Sequence, residues 1–108
     1  MRKNRQQLNL GYLNSSISDE LLSLCEEDRR RHLYVIGQTG SGKTTFLKNC
    51  ILQDLLQGAG LALIDPHGDL ADEVIDAMPR SRVRDVVFLN PLDREYPIAF
   101  NPLARVPD

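Results

Sequence analysis

The chain is short of long apolar runs, of cysteine and of any excess of one charge, and each shortage removes a class of protein. Its apolar runs, such as Leu33-Tyr34-Val35-Ile36 and Leu61-Ala62-Leu63-Ile64, stop at four or five residues. A bilayer-spanning helix needs ~20, so no transmembrane segment is expected in this chain. The N-terminus also lacks the apolar h-region of a signal peptide. Thirteen Lys and Arg stand against fifteen Asp and Glu, so there is no global basic footprint for nucleic acid and any DNA contact has to be local. The two cysteines, Cys25 and Cys50, are far apart and have no C-x-x-C or Cys/His pattern around them, which points to neither a metal site nor a disulfide framework. Reduced thiols in a cytoplasmic protein are expected, with any recruitment to the inner membrane left to other segments or partners. At 108 residues, the chain makes one small domain with room for a core.

What is present is concentrated in one loop. Gly37-Gln38-Thr39-Gly40-Ser41-Gly42-Lys43-Thr44 fills every fixed position of the phosphate-binding pattern G-x-x-x-x-G-K-[ST]. Ahead of it, residues 33–36 are apolar and β-rich, as in a buried strand. Behind it, residues 43–57 have helical spacing: Leu47, Cys50, Ile51 and Leu55 form an apolar side, and Lys48, Asn49, Gln53 and Gln57 lie opposite. Gly58 stands where a glycine C-terminal cap belongs. Strand, glycine loop and helix in this order aim unpaired backbone N–H groups and the positive helix end at a phosphate. Gly37, Gly40 and Gly42 are expected to allow positive φ and close backbone approach. Lys43 supplies charge for the β and γ phosphates and is the catalytic candidate, Thr44 offers a hydroxyl to Mg²⁺, and Thr45 opens the helix within reach of the α-phosphate. The predicted ligand is a nucleoside triphosphate with Mg²⁺.

Elsewhere the chain alternates. Residues 1–30 read as a polar N-terminal arm, irregular to residue 16, followed by a short helix from Ser18 through Leu21, Leu22, Leu24 and Cys25 to about Glu27. Arg29-Arg30-Arg31 reads as a solvated edge. After the loop helix, Gly58-Ala59-Gly60 breaks the chain, and residues 61–64 form a second apolar strand ending at Asp65. Pro66-His67-Gly68-Asp69 is a tight turn into a helix over residues 70–78, capped by Asp69 and closed by Pro79. A link with Arg80, Arg82 and Arg84 leads to a third strand over residues 85–89. Such alternation argues for βαβ units and a parallel sheet with helices on both faces. The tail from Asn90 carries four prolines, Pro91, Pro97, Pro102 and Pro107, and is expected to be extended and irregular.

Asp65 admits three readings. At the carboxyl end of a strand it stands where α/β sheets bind ligands, so it is a candidate Mg²⁺ group, directly or through water, in a pattern resembling Walker B. Asp65-Pro66-His67-Gly68 also resembles the D-x-x-G motif of GTPases. The guanine-reading motif expected with it, N-K-x-D, has only Asn90-Pro91-Leu92-Asp93 to offer, where proline replaces the lysine and the spacing is too short. The third reading has Asp65 and Asp69 building an Asx turn and a helix N-cap, with His67 part of the turn.

The motifs taken together carry a resemblance. The string from Arg31 to Thr45, then Ile64-Asp65-Pro66-His67-Gly68-Asp69-Leu70, Phe88-Leu89-Asn90-Pro91-Leu92-Asp93 and Phe100-Asn101-Pro102-Leu103, resembles the HerA/FtsK superfamily, in particular the TraD-like coupling ATPases of conjugation and type IV secretion. The likeness covers residues 31–103, leaving 104–108 as a tail. It implies a three-layer, RecA-like P-loop NTPase fold and an ATP-driven DNA translocase that forms a hexameric ring around DNA. Gly37, Gln38, Thr39, Gly40, Ser41, Gly42, Lys43, Thr44 and Thr45 would bind ATP, and Thr44 and Asp65 would hold Mg²⁺. Members of the superfamily also carry a later apolar strand ending in Asp-Glu and a later arginine that reaches a neighbouring subunit. Neither is found here: Asp19-Glu20 follows a polar segment, Asp72-Glu73 falls inside a helix, and Arg80, Arg82 and Arg84 read as a solvated link. The parallel sheet is therefore expected to be incomplete, and hydrolysis by these residues alone to be weak or absent. The alternative is a non-hydrolysing nucleotide-binding or interaction module, with a P-loop GTPase or kinase behind it.

Overall fold

The first two elements are a β-hairpin where the sequence suggested an arm and a helix. A computed structural model describes residues 7–14 and 19–95, with elements β1 (Leu8–Asn14), β2 (Asp19–Leu24), α1 (Glu26–Arg29), α2 (Lys43–Leu56), α3 (Asp69–Asp76) and a 3₁₀ turn (Arg80–Asp85). β1 and β2 pair antiparallel, Leu8 opposite Leu24 and Asn9 opposite Ser23, before the register slips so that Gly11 faces Leu22. Leu10 is the extra residue of this bulge. Gly11 follows at φ 155°. The hairpin wins over the local helical preference of Glu20-Leu21-Leu22 because β1 has something to pack on. Leu8 is 3% exposed, a burial that contributes roughly 1.5–3 kcal/mol, and propensity yields to such tertiary contacts.

That partner is α2. Its Gln53 side chain makes both bonds of a ladder rung with Asn9: the Asn9 N–H donates to Gln53 Oε1 at 2.9 Å, and Gln53 Nε2 donates to the Asn9 carbonyl at 2.8 Å. Gln57 Nε2 extends the edge by donating to the Gln7 carbonyl. These two glutamines, assigned from the sequence to a polar face, are the seam between strand and helix. Asp54, one residue on, is buried and accepts two bonds from the Arg29 guanidinium, at 2.7 and 2.5 Å. Arg29 is thus an internal anchor for α1, unlike the solvated edge expected of the arginine triple. α1 itself runs only four residues and ends through His32, whose φ is 70°.

Helix α2 agrees closely with the expected residues 43–57. It ends in a Schellman arrangement, with the Gly58 N–H on the Leu55 carbonyl and the Ala59 N–H on that of Asp54, and Gly58 takes the required left-handed turn at φ 80°. Arg82 caps the same end from outside, donating to the carbonyls of Leu55 and Ala59, so it too is not a solvated link. Lys48 joins α2 to α3 through Glu73 at 2.6 Å. The buried apolar residues among those described are Leu8, Cys50, Leu55 and Val74, a thin core lying along α2.

The three apolar stretches expected as parallel strands carry no ladder among the described residues. The only described sheet is the two-stranded hairpin. Asp85 closes the 3₁₀ turn instead of opening a strand. Tyr34 is 87% exposed, Ile64 92% and Val87 82%, so these side chains are left open where a sheet would cover them. Irregular turns occupy residues 90–95, where the Leu92 N–H binds Asn90 Oδ1 and the Glu95 N–H binds Asp93 Oδ1. The second N-P-L segment, Asn101-Pro102-Leu103, and the 104–108 tail lie outside the described residues. No helix among the described residues is long and apolar enough to cross a membrane.

Replacing Asp54 with alanine leaves the Arg29 guanidinium without its partner and should lower stability by about 2 kcal/mol. Chemical denaturation checks this, and the double variant Arg29→Met/Asp54→Leu should recover most of the loss.

Candidate functional site

The glycine loop and the start of α2 form the candidate site. Gly42 is the N-cap of α2 at φ 86°, and Gly40 sits at φ 79°, as expected of both. Gly37 does not take the positive φ expected of it; a Cβ there would lie 2.5 Å from Ser41 Oγ and 3.2 Å from Lys43 Cγ, so a larger residue requires the Ser41 side chain to turn away. The Ser41 N–H closes the loop onto the Gln38 carbonyl at 3.2 Å. Gln38, Thr39, Ser41, Thr44 and Thr45 are exposed and Lys43 is half-buried, so the loop is open to solvent.

Lys43 ties the loop to itself. Its ammonium donates to the carbonyls of Gly37 at 2.6 Å and Gln38 at 2.7 Å, two of the three bonds an ammonium can make. The first helical bond of α2 runs from the Phe46 N–H to the Gly42 carbonyl. The preceding N–H groups of Lys43, Thr44 and Thr45 have no intrahelical acceptor by construction. Gly42 offers no side chain to cap them, and the first turn holds no acidic residue. Unpaired donors, the positive end of a 14-residue helix and a lysine converge where an anion would sit.

Helix α3 makes the opposite choice. Its N-cap is Gly68 at φ 90°, not Asp69, which is the first helical residue. The carboxylate of Asp65 does the capping: Oδ2 accepts from the N–H groups of Leu70 and Ala71, at 2.9 and 3.2 Å, and Oδ1 accepts from His67 at 3.1 Å. The turn reading of Asp65 is thus realised, with His67 contributing its backbone. Burial acts to raise the Asp65 carboxyl, but the backbone N–H groups of Ala71, His67, Gly68 and Leu70 together outweigh it and hold the pKa below the ordinary carboxylate value. The α3 end is filled from within, whereas the α2 end has no side-chain cap.

The donor set bears on Mg²⁺. No cluster of three or more His, Cys, Asp or Glu able to hold a metal exists among the described residues. Mg²⁺ needs none where it binds through one or two protein oxygens, substrate phosphates and water. The exposed Thr44 hydroxyl fits that mode, and Asp65 Oδ1, which accepts the His67 N–H, keeps a lone pair for a metal-bound water. Cys25 and Cys50 are both free thiols. Burial, with nearby Asp54 adding to it, pushes the Cys50 thiol up and away from reactivity.

Sequence reasoning found the loop and missed its support. Arg29, Gln53, Asp54 and Arg82 fix the helix that the loop feeds, and one of them carried a signal: Asp54 follows Cys50 by four residues and so falls on the apolar stripe, where a charge implies a buried partner.

Comparison with known proteins supplies a family. Residues 8–101 match the family described as "Helicase HerA, central domain", and the chain belongs to that family. It is also similar to "Type 4 coupling protein DotL" of Legionella pneumophila subsp. pneumophila, with 38% identity over 56 residues, which are 52% of this chain and 7% of that protein. The matched stretch is thus a small fraction of that relative's length. No solved structure matches the chain.

Replacing Asp65 with alanine should lower the melting midpoint at neutral pH and expose the end of α3. Because the folded pKa is depressed, this contribution is complete above the unfolded value of ~3.9 and fades as pH falls through the folded one. Melts of wild type and Asp65→Ala should therefore differ at pH 7 and converge at the acid end.

Proposed function

We propose that this chain is the nucleotide-binding part of an ATP-driven DNA translocase, in which hydrolysis is coupled to movement by an assembled ring. The observation that carries the reading is the open N-terminus of α2: three unpaired N–H groups behind a lysine, in a domain whose other long helix end is capped from within. Membership of the HerA central-domain family supports a motor, and the likeness to a coupling protein supports one that serves DNA transfer or secretion.

In this reading Lys43 leaves the Gly37 and Gln38 carbonyls for the β and γ phosphates of ATP. Gly37 to Ser41 wrap the phosphates with backbone N–H groups, and Thr45 meets the α-phosphate. Mg²⁺ supplies charge neutralisation between the phosphates, held by Thr44 and approached through water by Asp65. The exposed residues of 33–36, 61–64 and 86–89 become strands of a parallel sheet, with helices on both faces, in the assembled protein. DNA is engaged by a homohexameric ring and not by this acidic chain alone, on the cytoplasmic side of a membrane reached through other segments. These residues include no strand-end Asp-Glu and no arginine placed for a neighbour's phosphate, so ATP is bound here and hydrolysed slowly at best.

Titration with ATP and Mg²⁺, with GTP as competitor, tests the assignment. Lys43→Ala should weaken binding by about 10- to 100-fold, the worth of a charged hydrogen bond. Unchanged affinity in the variant, or no binding by wild type, would remove the reading. Fast turnover by the isolated chain would contradict its dependence on a larger assembly.

A further inference from the structure

A cleft of about 460 Å³ lies between the hairpin and α2, and it begins where the phosphate loop ends. Its helix wall is formed by Phe46, Asn49 and Gln53, residues three or four apart on one face. Phe46 directly follows Thr45, and Asn49 stands four residues beyond Thr45, a rise of ~6 Å along the helix. The opposite wall is the bulged part of β1, where Gly11 puts bare backbone towards the space and Tyr12 stands at the rim, 71% exposed. The wall is fixed in place, since Gln53 grips Asn9 on both backbone groups and Leu8 is buried beneath. Asn49 is exposed and its amide pairs with no described residue.

We propose that this cleft receives the adenine base of the nucleotide whose phosphates occupy residues 37–45, so that the N-terminal hairpin is the base-recognition element of the site. The inference rests on the nucleotide reading given above. The occupant follows from continuity and chemistry. A nucleotide anchored by its α-phosphate at Thr45 carries its base one ribose further along, and the cleft wall starts at Phe46, the next residue in the chain. The volume falls within the range of small-molecule sites. Tyr12 and Phe46 offer aromatic faces to a flat π-system. The Asn49 amide has a donor and an acceptor side by side, the pair that adenine's exocyclic amine and N7 complement, whereas guanine presents two acceptors, O6 and N7, on the same edge. Gln53 is already committed to the strand and only shapes the floor.

The test compares Mg-ATP with Mg-tripolyphosphate, which has the phosphates without a base, by calorimetric titration. Wild type should bind ATP at least tenfold more tightly than tripolyphosphate. Tyr12→Ala should remove most of that advantage while leaving tripolyphosphate binding unchanged, and Asn49→Ala should erase the preference for ATP over GTP. Equal binding of the two ligands by wild type, or a Tyr12→Ala variant with the wild-type ratio, would place the base elsewhere and overturn the proposal while leaving the phosphate site intact. Binding of neither ligand by wild type would overturn the nucleotide reading itself. If Tyr12→Ala loses both ligands, the side-chain amide resonance of Asn49 in wild type decides. It must shift with ATP and not with tripolyphosphate, and a resonance unmoved by ATP overturns the proposal.

Discussion

The chain depends on helix α2 being held from every side by polar ties. β1 is joined to it through Gln53 and Gln57, α1 through the Arg29–Asp54 pair, α3 through Lys48 and Glu73, and the 3₁₀ turn through Arg82 on the terminal carbonyls. With four buried apolar residues among those described, hydrophobic burial does little of the joining. The Arg29–Asp54 pair matters most, because Asp54 is buried and an unpaired carboxylate there would be far more costly than an exposed pair is favourable. The exposed Arg30–Glu26 pair, and the pair that the half-buried Arg82 makes with exposed Asp85, add little by comparison.

This arrangement has a functional consequence. The helix that everything grips is the one whose first turn ends the phosphate loop, so the loop is positioned by interactions made further along that helix, from Lys48 to Gln57. The two longer helices also divide the labour of their positive ends. α3 spends its end on Asp65 and becomes a rigid turn, whereas α2 begins at a glycine that offers no cap and keeps its donors free. Lys43, bonded to two loop carbonyls, keeps the loop close to a phosphate-ready shape, which reduces the ordering that binding would require.

Much of the site was legible in the sequence because it is local. The loop, the positive φ of Gly40 and Gly42, the extent of α2 and its Gly58 cap all follow from residues within a few positions of one another. Long-range terms were not legible. Nothing near Leu21 announces that Leu8 will find a helix to lie on, so a strand was read as a helix, and Arg29 and Arg82 look solvated until Asp54 and the end of α2 are brought to them. Asp65 stood open among three roles, and backbone donors up to six residues away settled its structural one. The apolar stretches at 33–36, 61–64 and 85–89 have strand composition without strand partners, since a parallel sheet is a property of several segments together.

The most direct test of the account is a thermal melt of the chain with and without saturating Mg-ATP, on wild type and on Lys43→Ala. Ligand at a hundredfold excess over its Kd adds about 2.7 kcal/mol to a folded state that alone binds it. The account predicts one cooperative transition that moves up with Mg-ATP in wild type and by about half as much or less in the variant. A wild-type midpoint unmoved by Mg-ATP, or a variant that shifts equally, would contradict it.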